Sequence, residues 1–387
     1  MKIIKITFII SIAISSALYS NQEIFDFHNI RQKAMGGTKV TTVKNASHFY
    51  QNPAILASEN KFKVALPKFG YGINKALLEK MTEINNVSNG SNTEKQINAL
   101  KDLVPLKAAT TIDMYPILGF TTKKLGNTSL GLTSYAKGHL NGDLKKKTSP
   151  ILYLEGNINA TIQVGIARTL TVNNQDIHVG ISPKYSYKGI FYNKETGENT
   201  YKMTQTELIK IANGLESFNP QMYMLSGFGL DIGALYPYSI EQGLTSMYGT
   251  IGISIQNIIS SLSGDQDIIV NDVSETKKIK TNDPLIITLG NTFNYKAPII
   301  KNVEISTDYN IIAPTQSILK RFHFGLEKKV GPIIALRGGL NQGFIVGGFG
   351  INLFMIKLDY AYFTEEISES IGKNTVESHN IQFGLLF

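Results

Sequence analysis

The stretch Ser378 to Phe387, SHNIQFGLLF, stops on an aromatic residue, and its reading decides the fold. In an extended chain Ile381, Phe383, Leu385 and Phe387 share one face, while Asn380, Gln382, Gly384 and Leu386 share the other. One face is apolar and the other mostly small or polar. A strand of a soluble sandwich can carry this alternation, but a carboxylate directly after an apolar run must stay solvated, which suits a buried strand poorly. A strand that closes a membrane barrel meets both demands, with its apolar side in lipid and its end at the interface.

The same period recurs upstream. From Asn157 to Thr169, Ile158, Ala160, Ile162, Val164 and Ile166 alternate with Asn157, Asn159, Thr161, Gln163 and Gly165. From Asp176 to Lys188, Ile177, Val179, Ile181, Pro183, Tyr185 and Tyr187 alternate with His178, Gly180, Ser182, Lys184, Ser186 and Lys188. Two successive alternations of this length are a strong strand signal. Further segments are Phe62–Tyr71, Ile112–Thr121, Thr128–Lys137, Gly227–Tyr238, Met247–Ile258, Leu285–Tyr295 and Val303–Asn310. Arg321–Lys328, Ile333–Leu340, Ile345–Leu353 and Ile356–Phe363 follow, and the closing strand makes about fourteen. The expected fold is therefore all-β, a transmembrane antiparallel barrel with the even strand number of single-chain bacterial barrels.

Connection lengths support this. The stretches Gly72–Thr111, Gly138–Gly156, Gly189–Ser226 and Ile259–Pro284 are long, and each is followed by a short one, as when one side carries tight turns and the other extracellular loops. Two long loops have helical stripes: Leu77, Leu78, Met81 and Ile84 within Asn74–Asn85, with Ile97, Leu100 and Val104 after them, and Leu208, Ile211, Ala212 and Leu215 within Thr204–Leu215. Exposed apolar faces must bury against something. They either pack over the barrel mouth or form a landing site for an apolar ligand, with Leu77, Leu78, Met81, Leu208 and Ile211 as contacts.

Composition narrows the function classes. Hydrophobic residues are 42% of 387, too few for several apolar helical spans but normal for strands that alternate. A net charge of +8 without a dense basic block gives nucleic-acid binding no support and allows attraction to anionic lipid or lipopolysaccharide. Cysteine is absent, which removes disulfides, thiolate metal sites and a lipidated N-terminal cysteine. Tryptophan is absent too, so interface belts fall to 18 Tyr and 19 Phe. Six histidines, His28, His48, His139, His178, His323 and His379, form no metal-binding spacing. Gly227, Gly229 and Gly233 have the wrong spacing for a dinucleotide loop and suit room for a plug. Nothing points to an enzyme or a cofactor. The inward charges Lys184, Lys188, Asp231, Glu304, Asp308, Arg321, Glu327, Lys357 and Asp359 suit a paired network in the lumen or, less simply, a selective path.

At the other end, Lys2 and Lys5 precede an apolar run to Ile14 and the small residues Ser15, Ser16 and Ala17, the pattern of a secretory signal peptide over residues 1–20. Cleavage fits after Ala17 or after Ser20, and the run is short for a membrane anchor. Residues 21–60 lack periodicity but hold Ala34-Met35-Gly36-Gly37 and Tyr50-Gln51-Asn52-Pro53-Ala54, the glycines for sharp turns and Pro53 for a stiff corner.

An "AMGG…NPA" segment ahead of the first strand resembles the FadL-type family of outer-membrane transporters for hydrophobic compounds, and its TraF-like (conjugal transfer) and PorV-like relatives. The resemblance implies that residues 21–60 fold as a hatch inside the barrel 61–387, with Met35, Gly36, Gly37, Asn52, Pro53 and Ala54 as the matching residues. It also implies passive uptake of small hydrophobic, fatty-acid-like molecules across the bacterial outer membrane. A scaffold role in conjugation, secretion or surface attachment is the alternative. The closing Phe383, Leu385 and Phe387 resemble the terminal signal read by the barrel assembly machinery.

Overall fold

Ile162 and Ile181 discriminate between sandwich and barrel, because a sandwich seals them inside. Both are exposed, at 46% and 39%, while their neighbours Gln163 and Ser182 are fully buried. The alternation therefore runs apolar outward and polar inward, the inverse of a soluble domain. The computed structural model describes residues 29–42, 48–88, 92–122, 124–218, 220–242, 245–270, 273–296, 303–313, 317–366, 371–372 and 375–385. The expected signal peptide and Phe387 lie outside them.

The strands are β1 (Lys63–Ala65), β2 (Lys68–Asn74), β3 (Leu106–Thr121), β4 (Thr128–Lys145), β5 (Ile151–Val172), β6 (Gln175–Phe191), β7 (Tyr201–Thr204), β8 (Met222–Gln242) and β9 (Thr245–Val270). They continue as β10 (Val273–Thr281), β11 (Ile286–Lys296), β12 (Val303–Ile312), β13 (Phe322–Val330), β14 (Ile334–Asn341), β15 (Phe344–Leu353), β16 (Ile356–Glu366) and β17 (Thr375–Leu385). Short β7 pairs with β5, and β10 folds back on β9, both beyond the main wall. The first strand expected from sequence is two pieces, β1 and β2, both lying along β3. The other strands form an antiparallel ring. Closure is made by β17, which pairs with β16 and with β2, so that Phe383 sits opposite Leu358 and Phe69. The result is a closed barrel of fourteen strands with an apolar skin, which is stable only where hydrocarbon takes the place of water.

The wall has uneven height. A strand crosses a membrane with about 9–11 residues; β14, β15 and β16 have 8, 10 and 11, whereas β5, β8 and β9 have 22, 21 and 26. The surplus stands on the side of the long connections. It corrects three expected loops: Gly138–Gly156 is a β4–β5 hairpin with only 146–150 as its turn, Ile259–Pro284 is the β9–β10 hairpin, and Gly189–Ser226 holds β7 and a helix. Above the membrane both strand faces meet water or protein, so the ladder continues after the lipid-driven alternation has ended.

The gap between β1 and β2 falls at Leu66-Pro67, opposite a bulge in β3 between Met114 and Leu118 that contains Pro116. Neither proline can donate a ladder hydrogen bond, so pairing lapses on both sides at one height.

Candidate passage through the barrel

Residues 29–42 and 48–58 fill the lumen. Helix α1 (Ile30–Ala34) begins with a capping box: the Asn29 side chain accepts from Gln32 N at 3.0 Å, and the Gln32 side chain accepts from Asn29 N at 3.1 Å. Gly36 and Gly37 then turn the chain through φ +68° and +82°. Gly36 lies against the carbonyls of Phe324 and Leu340, where a Cβ has no room, and its own carbonyl accepts from His323 Nδ1 at 2.9 Å. Further along, Asn52 accepts from Ala54 N at 3.1 Å and starts a 3-10 turn at Pro53–Ser58. The Gln32 and Gln51 amides bond each other, and Asn52 Nδ2 donates to Val40 O at 3.3 Å, tying the two pieces together.

The two pieces hold the wall by different chemistry. Residues 29–42 are bound mainly by polar groups, beside a small apolar contact of Ile30 and Ala34 with Ala361. Arg31 donates to Glu304 Oε1 at 2.6 Å and to Glu327 Oε2 at 2.8 Å, Lys33 Nζ to Asn380 Oδ1 at 2.7 Å, and Lys39 N to Asp308 Oδ2 at 2.6 Å; the Thr38 and Ser306 hydroxyls bond at 2.8 Å. Residues 48–58 are packed by apolar ones: Phe49, Ala54, Ile55, Leu56 and Ala57 form a core with Ala167 and Leu235. Glycines of the wall make that packing fit, with Gly131 and Gly165 under Phe49 and Leu56, and Gly180 and Gly233 under the Asn52-Pro53 corner. Gly229 and Gly227, expected to face a plug, instead face Lys184 and the Ser261 carbonyl.

Met35, Gly36, Gly37, Asn52, Pro53 and Ala54 are thus all buried inside the barrel. Of the inward charges, Glu304, Asp308, Glu327, Lys357, Asp359, Lys184, Lys188 and Asp231 face the lumen. Arg321 does not join them, because the 3-10 turn Leu319–Arg321 lifts it to the rim, where it donates to Ile311 O at 3.2 Å. Arg31 and Arg337 were not singled out by the sequence. Arg337 donates to Glu327 at 2.8 Å and to Asp359 at 2.7 Å, and Lys357 adds a contact to Asp359 at 3.2 Å. Signs alternate along this chain of charges, so each buried carboxylate meets a cation. A second group pairs Lys184 with Asp231 at 2.7 Å and Lys188 with Asp283. Arg337 was readable, since it shares the inward face with Ala335 and Gly339; Arg31 lies on a segment with no period to read.

Behind the gap in the wall, Tyr115 turns inward and stacks with Tyr50 and Tyr135, ring centroids 4.8–5.8 Å apart. Among the described residues, cavities lie on both sides of the lumen segment. One of about 380 Å³ lies above, lined by Asn74, Lys107, Asn141, Asp143 and Tyr153. One of about 530 Å³ lies below, lined by Thr41, Thr42, Tyr238, Tyr248 and Asn294. Between them a space of about 30 Å³ touches Lys39, Tyr50, Tyr135 and Lys184, room for roughly one water.

Helices α2 (Lys75–Glu79), α3 (Met81–Ser88), α4 (Thr93–Leu103) and α5 (Gln205–Ala212) crown the tall wall. The single helix expected over Asn74–Asn85 is broken at Lys80. The crown's core joins Val87, Leu100, Leu103 and Ile209 to Leu106 and Leu144. Leu106 and Leu144 occupy the strand face opposite Lys107, Asn141 and Asp143, which line the upper cavity. The helices therefore buttress the outer face of the wall and do not roof its mouth. Of the proposed ligand contacts, Leu208 joins this core, Leu77 and Ile211 are half-buried, and Leu78 and Met81 are exposed. Lys75 holds Glu377 of β17 at 3.1 Å, a bond that raises the lysine's pKa above its usual value, and Lys80 holds the Glu83 carboxyl below the usual range.

The chain is similar to toluene transporters. The Ralstonia pickettii toluene transporter TbuX is 13% identical, with 94% of this chain and 98% of that one covered and a TM-score of 0.47. The Pseudomonas putida toluene transporter TodX is 10% identical over 94% and 98%, TM-score 0.41, and the CymD monoaromatic hydrocarbon channel 12% identical over 92% and 95%, TM-score 0.40. No protein-family model and no curated protein matches the sequence.

Proposed function

We propose that the protein is a bacterial outer-membrane channel for passive uptake of small hydrophobic molecules, with residues 21–60 as its hatch. The observation that carries this reading is the pair of cavities, above and below, separated by a segment whose first half is held by hydrogen bonds and ion pairs. Such contacts can be exchanged for water, and the apolar surface exposed with them is confined to Ile30, Ala34, Met35 and Val40, so residues 29–42 shift more readily than residues 48–58, which stay anchored by their core. The ligand lands near exposed Leu78 and Met81, enters the upper cavity, and leaves downward or sideways where β1, β2 and β3 lose their pairing beside the tyrosine stack. No bond is made or broken. Vesicles containing lipopolysaccharide and the purified protein should take up labelled fatty acid or small aromatics faster than protein-free vesicles. Equal rates for both ligand classes overturn the reading.

The second reading is a scaffold for conjugation, secretion or surface attachment. It is favoured by Leu215, Ile318 and Leu319, large apolar side chains left exposed on the side of the long connections. A folded barrel that accelerates neither ligand would favour it.

A further inference from the structure

The turn between β15 and β16 breaks a local rule. Phe354 adopts φ +49°, the left-handed region that bulky residues avoid, and its side chain is 103% exposed. Elsewhere in the chain the turn between β5 and β6 meets this demand with Asn173-Asn174, and the turns between β4 and β5 and between β14 and β15 place the polar Lys146 and Gln342 there. At Phe354 an aromatic ring is held fully outward at a position that favours glycine or asparagine.

Its surroundings identify what covers the ring. Every outward position from Ile334 to Leu340, Ile345 to Leu353 and Ile356 to Tyr362 is apolar, aromatic or glycine, so the oily belt on β14–β16 runs unbroken into the turn. Met355 and Ile333 extend it, and Asn352 N donates to Ile333 O at 2.8 Å, fixing this turn beside the one between β13 and β14. These strands have no residues to spare for crossing the bilayer. On the tall side, by contrast, exposed Arg168 interrupts the outward face of β5 and the turn below it is polar. Lys328, outward on β13 opposite Leu336, is long enough to carry its ammonium to headgroup phosphates.

We propose that the Leu353–Ile356 turn is immersed in the phospholipid leaflet on the short-connection side, with Phe354 as its anchor, so that the barrel sits unevenly in the membrane. The inference rests on the membrane reading of the belt and adds to it where the belt ends. Immersion on the low side and exposure of the β5–β6 turn on the tall side follow from the same water line.

The absence of tryptophan makes this measurable, because each introduced indole is the sole one in the chain. Phe354→Trp, Ile162→Trp as a mid-belt reference and Gln175→Trp at the tall-side turn are reconstituted in phospholipid vesicles. Emission is then quenched by brominated lipids or by iodide from the aqueous side. Phe354→Trp is expected to emit blue-shifted light, quenched by bromine near the headgroup and protected from iodide, while Gln175→Trp is quenched by iodide. If Ile162→Trp is quenched by brominated lipid and Phe354→Trp emits as in water, the proposal is overturned and the membrane reading stands. If Ile162→Trp also emits as in water, both fail. Phe354→Asn, which suits the turn better, should fold at least as well and raise accessibility of a single label at Met355→Cys to aqueous reagents; unchanged accessibility counts against the anchor.

Discussion

Arg31 sets the terms on which the lumen segment is held. Its guanidinium bridges Glu304 of β12 and Glu327 of β13 and also donates to Thr42 O at 2.8 Å, so one side chain joins two strands and the far end of its own segment. Burial disfavours its charge, but the two carboxylates more than offset this. Arg31→Met removes both ion pairs, a loss of about 3–5 kcal/mol for a buried pair broken from one side. The expected result is faster amide hydrogen exchange in residues 29–42, with residues 48–58 unchanged because their core is apolar. Exchange in 29–42 at the wild-type rate would show that the polar contacts do not hold the segment. None of this was legible from periodicity. The inward carboxylates could be found by counting along strands, but their partner lies almost three hundred positions earlier in the chain, on a stretch that carries no repeat.

At the scale of elements, the strands were legible because lipid enforces a two-residue period on them. The fourteen expected segments match the wall strands, apart from the break at Leu66-Pro67. Their upper limits were not legible, since above the membrane β4, β5, β8 and β9 face water or protein and lose the period while keeping the ladder. The helices were readable as apolar stripes, yet their place was not. Strand alternation alone does not say whether Leu106 and Leu144 meet solvent or a helix. Because the crown's core is separate from the lumen, damage to it should stay local. Leu100→Ala should cost about 2–5 kcal/mol and speed hydrogen exchange in residues 93–103, leaving exchange in 30–34 and in the lower strands untouched. Parallel loss of protection in the lumen segment would mean that crown and hatch are one cooperative unit.

For the whole molecule, the question is whether the hatch must move for anything to pass. The central space of about 30 Å³ between the two described cavities admits water but no hydrocarbon ligand. On the proposed downward route, residues 29–42 must therefore leave the wall. The absence of cysteine allows a clean lock: the Thr38 and Ser306 hydroxyls are 2.8 Å apart, and a Thr38→Cys, Ser306→Cys pair is placed to form the only disulfide in the chain. The oxidised form should lose uptake of labelled fatty acid and small aromatics in reconstituted vesicles, and dithiothreitol should restore it, with both forms equally folded by far-ultraviolet circular dichroism. Each single-cysteine variant should transport with or without oxidant. If the locked protein transports as fast as the reduced one, the route bypasses the hatch, and the unpaired stretch of wall beside Tyr115 becomes the place to block next.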